Sequence, residues 1–370
     1  MKLVCSKSNL LNGVQIVSKA VPGKTTMSIL QCILINASSD IKLTANDMEL
    51  GIETIVEGDI IEPGIIALDA KFFLEILRKF PDGNITIETD DTYQTFITCD
   101  NIDSDLKIVG KSGEDFSYLP NIEKLDSIVL SQFTLRELIR QTVFSIADND
   151  TNKIITGELF EVNEDKLRVA SSDGHRISVR KVYLKNSYPR KKVIVPGKAL
   201  NEISKILSGD TDKDVVIFFT NKHIVFEFDN TTVVSRLIEG DYFNIDQMLS
   251  SDYETKVTIN KRKLLECIDR ATLLVKEGDK KPIIINITDE NMELKITSTN
   301  GSMREVVDIS KNGKDLMIGF NPKFFIDALR VIDEEEINIY LVNPKAPCFI
   351  KDSEESYVYM ILPVNFTTVS

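Results

Sequence analysis

The sequence predicts an α+β protein built from three tandem copies of one unit, and three sets of matching segments predict it. The stretches 41–53 (IKLTANDMELGIE), 166–180 (KLRVASSDGHRISVR) and 292–307 (MELKITSTNGSMREVV) each alternate apolar and polar residues, break at an Asn or Asp turn, then alternate again. That is a β-hairpin pattern. Their turn residues Asp47, Asp173 and Asn300 lie 126 and 127 positions apart. The stretches 64–80, 192–207 and 316–332 each run from a strand pattern into a helical one. They share an early lysine, at Lys71, Lys198 and Lys323, spaced 127 and 125. An amphipathic helix opens each copy, at 9–21, 135–147 and 263–275, the last preceded by Lys261 and Arg262.

Each element has a local reason. The opening helices place apolar residues on one face. After Lys71, Phe72, Phe73, Ile76 and Leu77 recur at helical spacing. The β-rich stretches NITIETD, DVVIFFT and INIYLV follow the second helix of each copy. Short polar segments near 120–124 and 250–254 separate the copies. The expected domains are 1–122, 123–252 and 253–370.

Composition narrows the function classes. With 370 residues, the chain is long for one core and suits two or three domains. It is 42% hydrophobic and 27% charged, as soluble globular proteins are. No apolar run reaches the ~18 residues of a membrane helix. The start, MKLVCSKSNLLNG, lacks the apolar core of a signal peptide, so a cytoplasmic protein without membrane contact is expected. Cys5, Cys32, Cys99, Cys267 and Cys348 are scattered and never spaced C-x-x-C. With only two histidines, far apart, neither a disulfide framework nor a metal site is expected, and no cofactor.

The net charge of −13 taken alone disfavours nucleic acid. Its placement reverses that reading. The six helical segments with their flanks (6–24, 70–81, 131–142, 196–208, 259–277 and 321–332) hold 17 Lys and Arg against 7 Asp and Glu. The remainder holds 27 against 50. Helices accept glutamate as readily as lysine, so propensity alone does not produce this split. It suits helices that share one polyanion while the strands face solvent. Contacts to a phosphate backbone need Lys and Arg but no base-reading groups.

Over its whole length the sequence resembles the bacterial DNA polymerase III β subunit family, the sliding clamps. The resemblance rests on the three-fold repeat, on SSDGHRISVR (171–180), on SRLIEGDYFNI (235–245) and on YVYMILPVNF (357–366). It implies three tandem repeats of the DNA-clamp fold and a head-to-tail homodimeric ring, with helices lining the hole and sheets outside. The implied function is a processivity factor, itself non-catalytic, that encircles double-stranded DNA without regard to sequence. It would tether the replicative polymerase catalytic subunit through a peptide-binding cleft. Repair polymerases, ligase and mismatch-repair proteins would dock there through Gln-Leu-x-Leu-Phe-like peptides, and an ATP-driven clamp loader would open the ring. The place of work would be the nucleoid and replisome.

Carried over position by position, the resemblance puts Ser172, Gly174, His175, Arg176 and Ile177 in the cleft, with Ile154 and Ile155 from a strand opening the middle domain. Phe243 and Met248 would join them, with Met360, Leu362, Pro363, Val364, Asn365 and Phe366 from the C-terminal run. Phe243 stands where the family often has proline, Asn365 where arginine is common, and Ile154 where an aromatic residue can occur. For DNA the resemblance points to Lys24, Asn149 and Lys153. The helix charge map adds Lys71, Lys79, Arg136, Lys198, Lys205 and Arg270. At the dimer contact it implies Leu106 and Ile108 of one chain against Leu273 and Leu274 of the other.

Two other readings compete. One is a three-domain β-rich protein-binding scaffold without a DNA role, which the charge separation disfavours. The other is a hydrolase using His175 and Asp173. The matching turns of the other repeats, TANDMEL and TSTNGSM, carry no histidine, and Asp-Gly is ordinary turn chemistry. No G-x-S-x-G, P-loop or H-E-x-x-H is present.

Overall fold

The computed structural model describes residues 1–148, 151–249, 252–275 and 281–366. Six α-helices occur among them: α1 (Lys7–Val17), α2 (Ala70–Lys79), α3 (Gln132–Thr142), α4 (Gly197–Ser204), α5 (Lys261–Thr272) and α6 (Pro322–Val331). Side-chain caps set most of their starts. The Ser6 hydroxyl accepts from the Asn9 N–H at 3.2 Å and the Asp69 carboxylate from the Phe72 N–H at 2.8 Å. Asn260 and Asn321 accept in the same way from the N–H groups of Lys263 and Lys323, each at 3.0 Å. Pro322 begins α6, where a missing N–H costs nothing.

Four helices end earlier than the sequence pattern predicts, α3 at Thr142, where Val143–Ser145 tightens to a 3₁₀ turn, and α5 at Thr272 among them. The 9–21 segment stops being α-helical at Val17, because the Ser18 hydroxyl bonds back to the Val14 carbonyl and Ser18–Ala20 tightens to a 3₁₀ turn. The 196–208 segment leaves the α-form after Ser204, where Lys205 N–H bonds Glu202 and Ile206 N–H bonds Ile203, three residues back.

The chain divides into two compact units. The first comprises Met1–Arg136 with Lys198–Leu237. It holds a five-stranded sheet in the order Asp59–Glu62, Lys2–Ser6, Asn84–Thr89, Gln94–Cys99, Leu106–Val109. Its nine-stranded sheet is continuous because Leu50–Val56 pairs antiparallel with Thr231–Arg236. The Thr54 and Thr231 hydroxyls meet there at 2.9 Å, buried.

The second unit comprises Glu137–Gly197 with Ile238–Ser370. Its seven-stranded sheet runs Gly157–Ser172, Arg176–Pro196, Tyr357–Ile361, Cys348–Lys351, Glu336–Leu341, Thr255–Asn260, Ser310–Gly313. A four-stranded sheet runs Gly301–Asp308, Asn291–Ser298, Ile283–Thr288, Leu316–Phe320. Between these sheets and α5 and α6 lies a buried apolar core that includes Leu264, Ile268, Phe320, Phe325 and Leu329. The three hairpins predicted at 41–53, 166–180 and 292–307 all form. No described helix is long and apolar enough to cross a membrane.

Two glycines test the backbone. Gly313 has φ +116°, and a Cβ there would lie 2.0 Å from the Glu254 carbonyl oxygen, just ahead of the paired strand. Gly174 has φ +85° with open space around it. Gly313→Ala is predicted to lose about 3 kcal/mol or more, and Gly174→Ala only about 1–2 kcal/mol. Urea unfolding of the two variants should show that order.

Candidate functional site

The 171–180 hairpin ends in a turn whose polar groups are already committed. The Asp173 carboxylate accepts from the N–H groups of His175 (2.9 Å) and Arg176 (3.1 Å), and from Arg176 Nε at 2.9 Å. The Ser172 hydroxyl donates to the Arg176 carbonyl at 2.8 Å and accepts from the Gly174 N–H at 3.1 Å. Asp173 thus holds backbone and guanidinium, and it does not orient the imidazole. The exposed His175 ring stacks on Phe324 at 6.3 Å. That is turn-and-packing geometry, not a catalytic pair.

Arg176 is buried, and its guanidinium points inward. It bonds Asp173, the Asp327 carboxylate of α6 at 2.7 Å, and the Phe144 carbonyl. It also lies over the rings of Phe144 (5.4 Å) and Phe324 (4.6 Å). This node fixes the hairpin to α6. Sequence reasoning missed Phe324 and Asp327, because only the fold brings positions about 150 residues downstream to the turn.

Apolar residues gather on the same sheet. Ile177 pairs with Met360 across the ladder, and both belong to a buried cluster with Leu159, Tyr242 and Phe349. Ile154, Phe243 and Leu362 pack on it, partly exposed. Phe243 stacks on Tyr242 at 4.6 Å, and Met248 nearby in sequence is exposed. Ile154 and Ile155 lie on a 3₁₀ turn, Lys153–Thr156, not on the expected strand; the Asn152 side chain caps this turn by accepting from the Ile154 N–H at 3.2 Å.

The C-terminal strand Tyr357–Ile361 lies inside the sheet, and the chain then leaves it. Leu362 N–H donates to the His175 carbonyl at 2.9 Å, and Val364 N–H to the Gly319 carbonyl at 2.8 Å. Pro363, Val364 and Phe366 are half-buried and Asn365 is exposed; the Phe366 ring closes on Gly319. All fifteen expected cleft residues therefore fall in the second unit.

The expected DNA-facing residues Lys24, Lys71, Lys79, Arg136, Lys153, Lys198, Lys205 and Arg270 are all exposed, and Asn149 lies outside the described residues. They differ in their company. Lys198 pairs with Asp47 at 2.9 Å, Lys205 with Glu202 at 2.7 Å, and Arg270 with Glu305. Lys24, Lys71, Lys79, Arg136 and Lys153 have no ion-pair partner among the described residues. None of the six helices has an acidic residue in its first turn, although that is where an acid stabilises a helix most. Of the expected dimer residues, Leu106 and Ile108 lie on the outer strand of the five-stranded sheet. Leu273 caps α5 and is 80% exposed, while Leu274 packs against the core. Among the described residues no group of His, Cys, Asp and Glu is placed to hold a metal.

This architecture is that of a repeat-built α+β protein. Family models for the DNA polymerase III beta subunit match in three parts: the N-terminal domain at 1–120, the central domain at 129–244 and the C-terminal domain at 246–365. The Beta sliding clamp of Staphylococcus epidermidis is 33% identical over 98% of this chain and 99% of its own. A solved chain from Eubacterium rectale, described as a DNA polymerase III beta subunit, is 71% identical, with a TM-score of 0.95 over 99% of this chain and 100% of its own. The DNA polymerase sliding clamp of Bacillus subtilis is 32% identical, with a TM-score of 0.94 over the same shares. The chain belongs to the DNA polymerase III beta subunit family, the beta sliding clamps. Its function is that of a DNA sliding clamp, a processivity factor of the polymerase with no chemistry of its own.

The Arg176 node gives a direct test. Removing the guanidinium leaves two mostly buried carboxylates facing each other. Arg176→Met is expected to cost about 3 kcal/mol or more. In the double variant with Asp327→Asn the loss should fall well short of the sum. Urea unfolding of the four proteins in that cycle measures it.

Proposed function

We propose that two copies of this chain close head to tail into a ring around duplex DNA, with helices inward, and that the 171–180 face captures Gln-Leu-x-Leu-Phe-like peptides. The cleft is formed by the fifteen residues named above. The domain boundaries are 1–122, 123–252 and 253–370. The observation that carries the cleft is the apolar patch around Ile177 and Met360. Ile154, Phe243 and Leu362 stay partly exposed there, beside a turn that Arg176 ties to α6. Half-exposed apolar side chains on a fixed frame accept the Leu and Phe of a peptide at small entropic cost. Backbone and polar groups of Gly174, His175 and Asn365 give the peptide its direction.

Inside the ring, Lys24, Lys71, Lys79, Arg136 and Lys153 meet phosphate first, and Asn149 joins them. Lys198, Lys205 and Arg270 must exchange a carboxylate for a phosphate, which weakens their pull. The ring is held by Leu106 and Ile108 against Leu273 and Leu274. An edge strand and an 80% exposed leucine both call for a cover. Opening a closed ring takes energy from outside, so an ATP-driven loader is the partner that places it on DNA. The polymerase catalytic subunit, repair polymerases, ligase and mismatch-repair proteins share the cleft, and the work is done at the nucleoid.

Fluorescence anisotropy with a labelled Gln-Leu-Ser-Leu-Phe peptide tests the cleft. Saturable micromolar binding is expected, lost in a folded Pro363→Ala/Val364→Ala variant. A wild type that ignores the peptide removes the cleft reading. Leu273→Asp is expected to give a folded monomer of half the dimer mass by light scattering. An unchanged mass would reject that placement of the interface.

A further inference from the structure

The central repeat departs from its sisters at one core position. Ile33 pairs with Leu68, Glu158 with Val195, and Ile283 with Phe320. Those partners stand three residues before Lys71, Lys198 and Lys323, so the three positions are equivalent. All three side chains are fully buried. Two repeats have isoleucine there and the central one has a carboxyl.

The surroundings of Glu158 are unusual for a carboxylate. Neither of its oxygens has a hydrogen-bond partner, and the buried Tyr242 hydroxyl and Gln141 Oε1 have none either, among the described residues. The Thr142 side chain stands beside the carboxyl. Its hydroxyl proton is already given to the Leu138 carbonyl at 2.7 Å. A hydroxyl so committed can only accept, so the carboxyl can bond to it only by bringing a proton of its own. Burial pushes the carboxyl up to about 8, even against the lowering that a hydrogen bond from Thr142 would bring.

Among the described residues no neighbouring charge offsets this. The Arg176 guanidinium is taken up by Asp173, Asp327 and the Phe144 carbonyl. The titratable group facing Glu158 is the Tyr242 phenol, raised by burial first and then by the Glu158 charge, with Asp173 adding to it. Ser171, cross-strand from Ser178, gives its hydroxyl to the Thr142 carbonyl. These are neutral groups and supply no compensating cation.

Tyr242 joins this polar pocket to the cleft. Its hydroxyl lies near the Ser172 backbone without reaching hydrogen-bond geometry, and its ring stacks on Phe243. It shares the apolar cluster of Ile177 and Met360. We propose that Glu158 is a positioning residue for the cleft wall: as an uncharged acid it lets Tyr242, Phe243 and Ser172 pack as they stand, and on losing its proton it disturbs that wall, so that the clamp holds peptides more weakly in alkaline than in neutral solution. This rests on the peptide-cleft reading. The sign follows from linkage. The folded chain keeps a proton that the unfolded chain releases near 4.5, so stability falls as pH rises from there and levels off above about 8.

The test is peptide anisotropy from about pH 6.5 to about pH 9.5 on wild type, Glu158→Gln and Glu158→Ile, with thermal unfolding alongside. The wild-type affinity is expected to fall about fivefold or more across that range, while the neutral variants stay flat. The wild-type melting temperature should decline relative to Glu158→Gln over the same interval. Infrared difference spectra should show a protonated carboxyl at neutral pH that Glu158→Gln lacks. Parallel affinity profiles in wild type and Glu158→Gln, or no such carboxyl band, overturn the proposal and leave the cleft standing. A wild type that binds no peptide even at the acid end overturns the cleft reading, and the proposal with it. Glu158→Gln keeps the shape of the side chain, so a failure of Glu158→Ile to fold leaves the comparison intact.

Discussion

The hydrogen-bonding demand of an open sheet edge governs this molecule. A strand with no neighbour presents a row of unpaired N–H and C=O groups. Each repeat satisfies part of that demand with the next. Leu50–Val56 of the first repeat pairs with Thr231–Arg236 of the second. The Arg176–Pro196 strand of the second pairs with Tyr357–Ile361 near the C-terminus. The repeats are joined by backbone ladders as well as by the short polar segments between them. At the far ends Leu106–Val109 and Gly301–Asp308 remain on the outside of their sheets. A chain that joins its own repeats edge to edge, yet leaves outer strands such as these over, has the chemistry for joining a second copy in the same way.

The ladder between Arg176–Arg180 and Tyr357–Ile361 also bears on the proposed cleft. It brings a turn from the middle of the sequence beside the last strand. Arg176 then locks that turn to α6 through Asp327. A buried cation with two carboxylates is poor value as stability alone, since apolar replacements often do as well. What it does in the fold is geometric: it ties the turn that carries His175 to α6. A peptide meeting a fixed surface loses less affinity to ordering that surface.

Much of this was legible in the sequence because the determinants are local. Asn-Asp and Asp-Gly turns fixed the first two hairpins, Asn300-Gly301 the third, and the caps Ser6, Asp69, Asn260 and Asn321 mark helix starts that side-chain chemistry alone dictates. Where the reading slipped, a non-local or competing bond decided. The family resemblance put Ile154 and Ile155 on a strand, but Asn152 caps a 3₁₀ turn there. Arg176 looks like a surface cation in D-G-H-R, and only its partners in α6 turn it inward. Glu158 gave no signal, because an acid alternating with apolar residues in a strand normally marks the solvent face. Aligning the strand against Ile33 and Ile283 would have exposed it.

The charge map needs the same refinement. Counting Lys and Arg along the helices treats each as available, yet several are held by a carboxylate. Lys198 and Arg270 are examples, and their partners Asp47 and Glu305 lie on hairpins of the sheets. The uncompensated part is smaller: free lysines such as Lys71 and Lys79, plus helix first turns without acids. For a tight DNA-binding protein that would be a poor design, since each phosphate contact adds affinity and salt dependence. For a protein retained by encircling its ligand it is the better one. The positive groups need only keep the duplex centred, and contacts that are few and weak can be remade at every step along the helix.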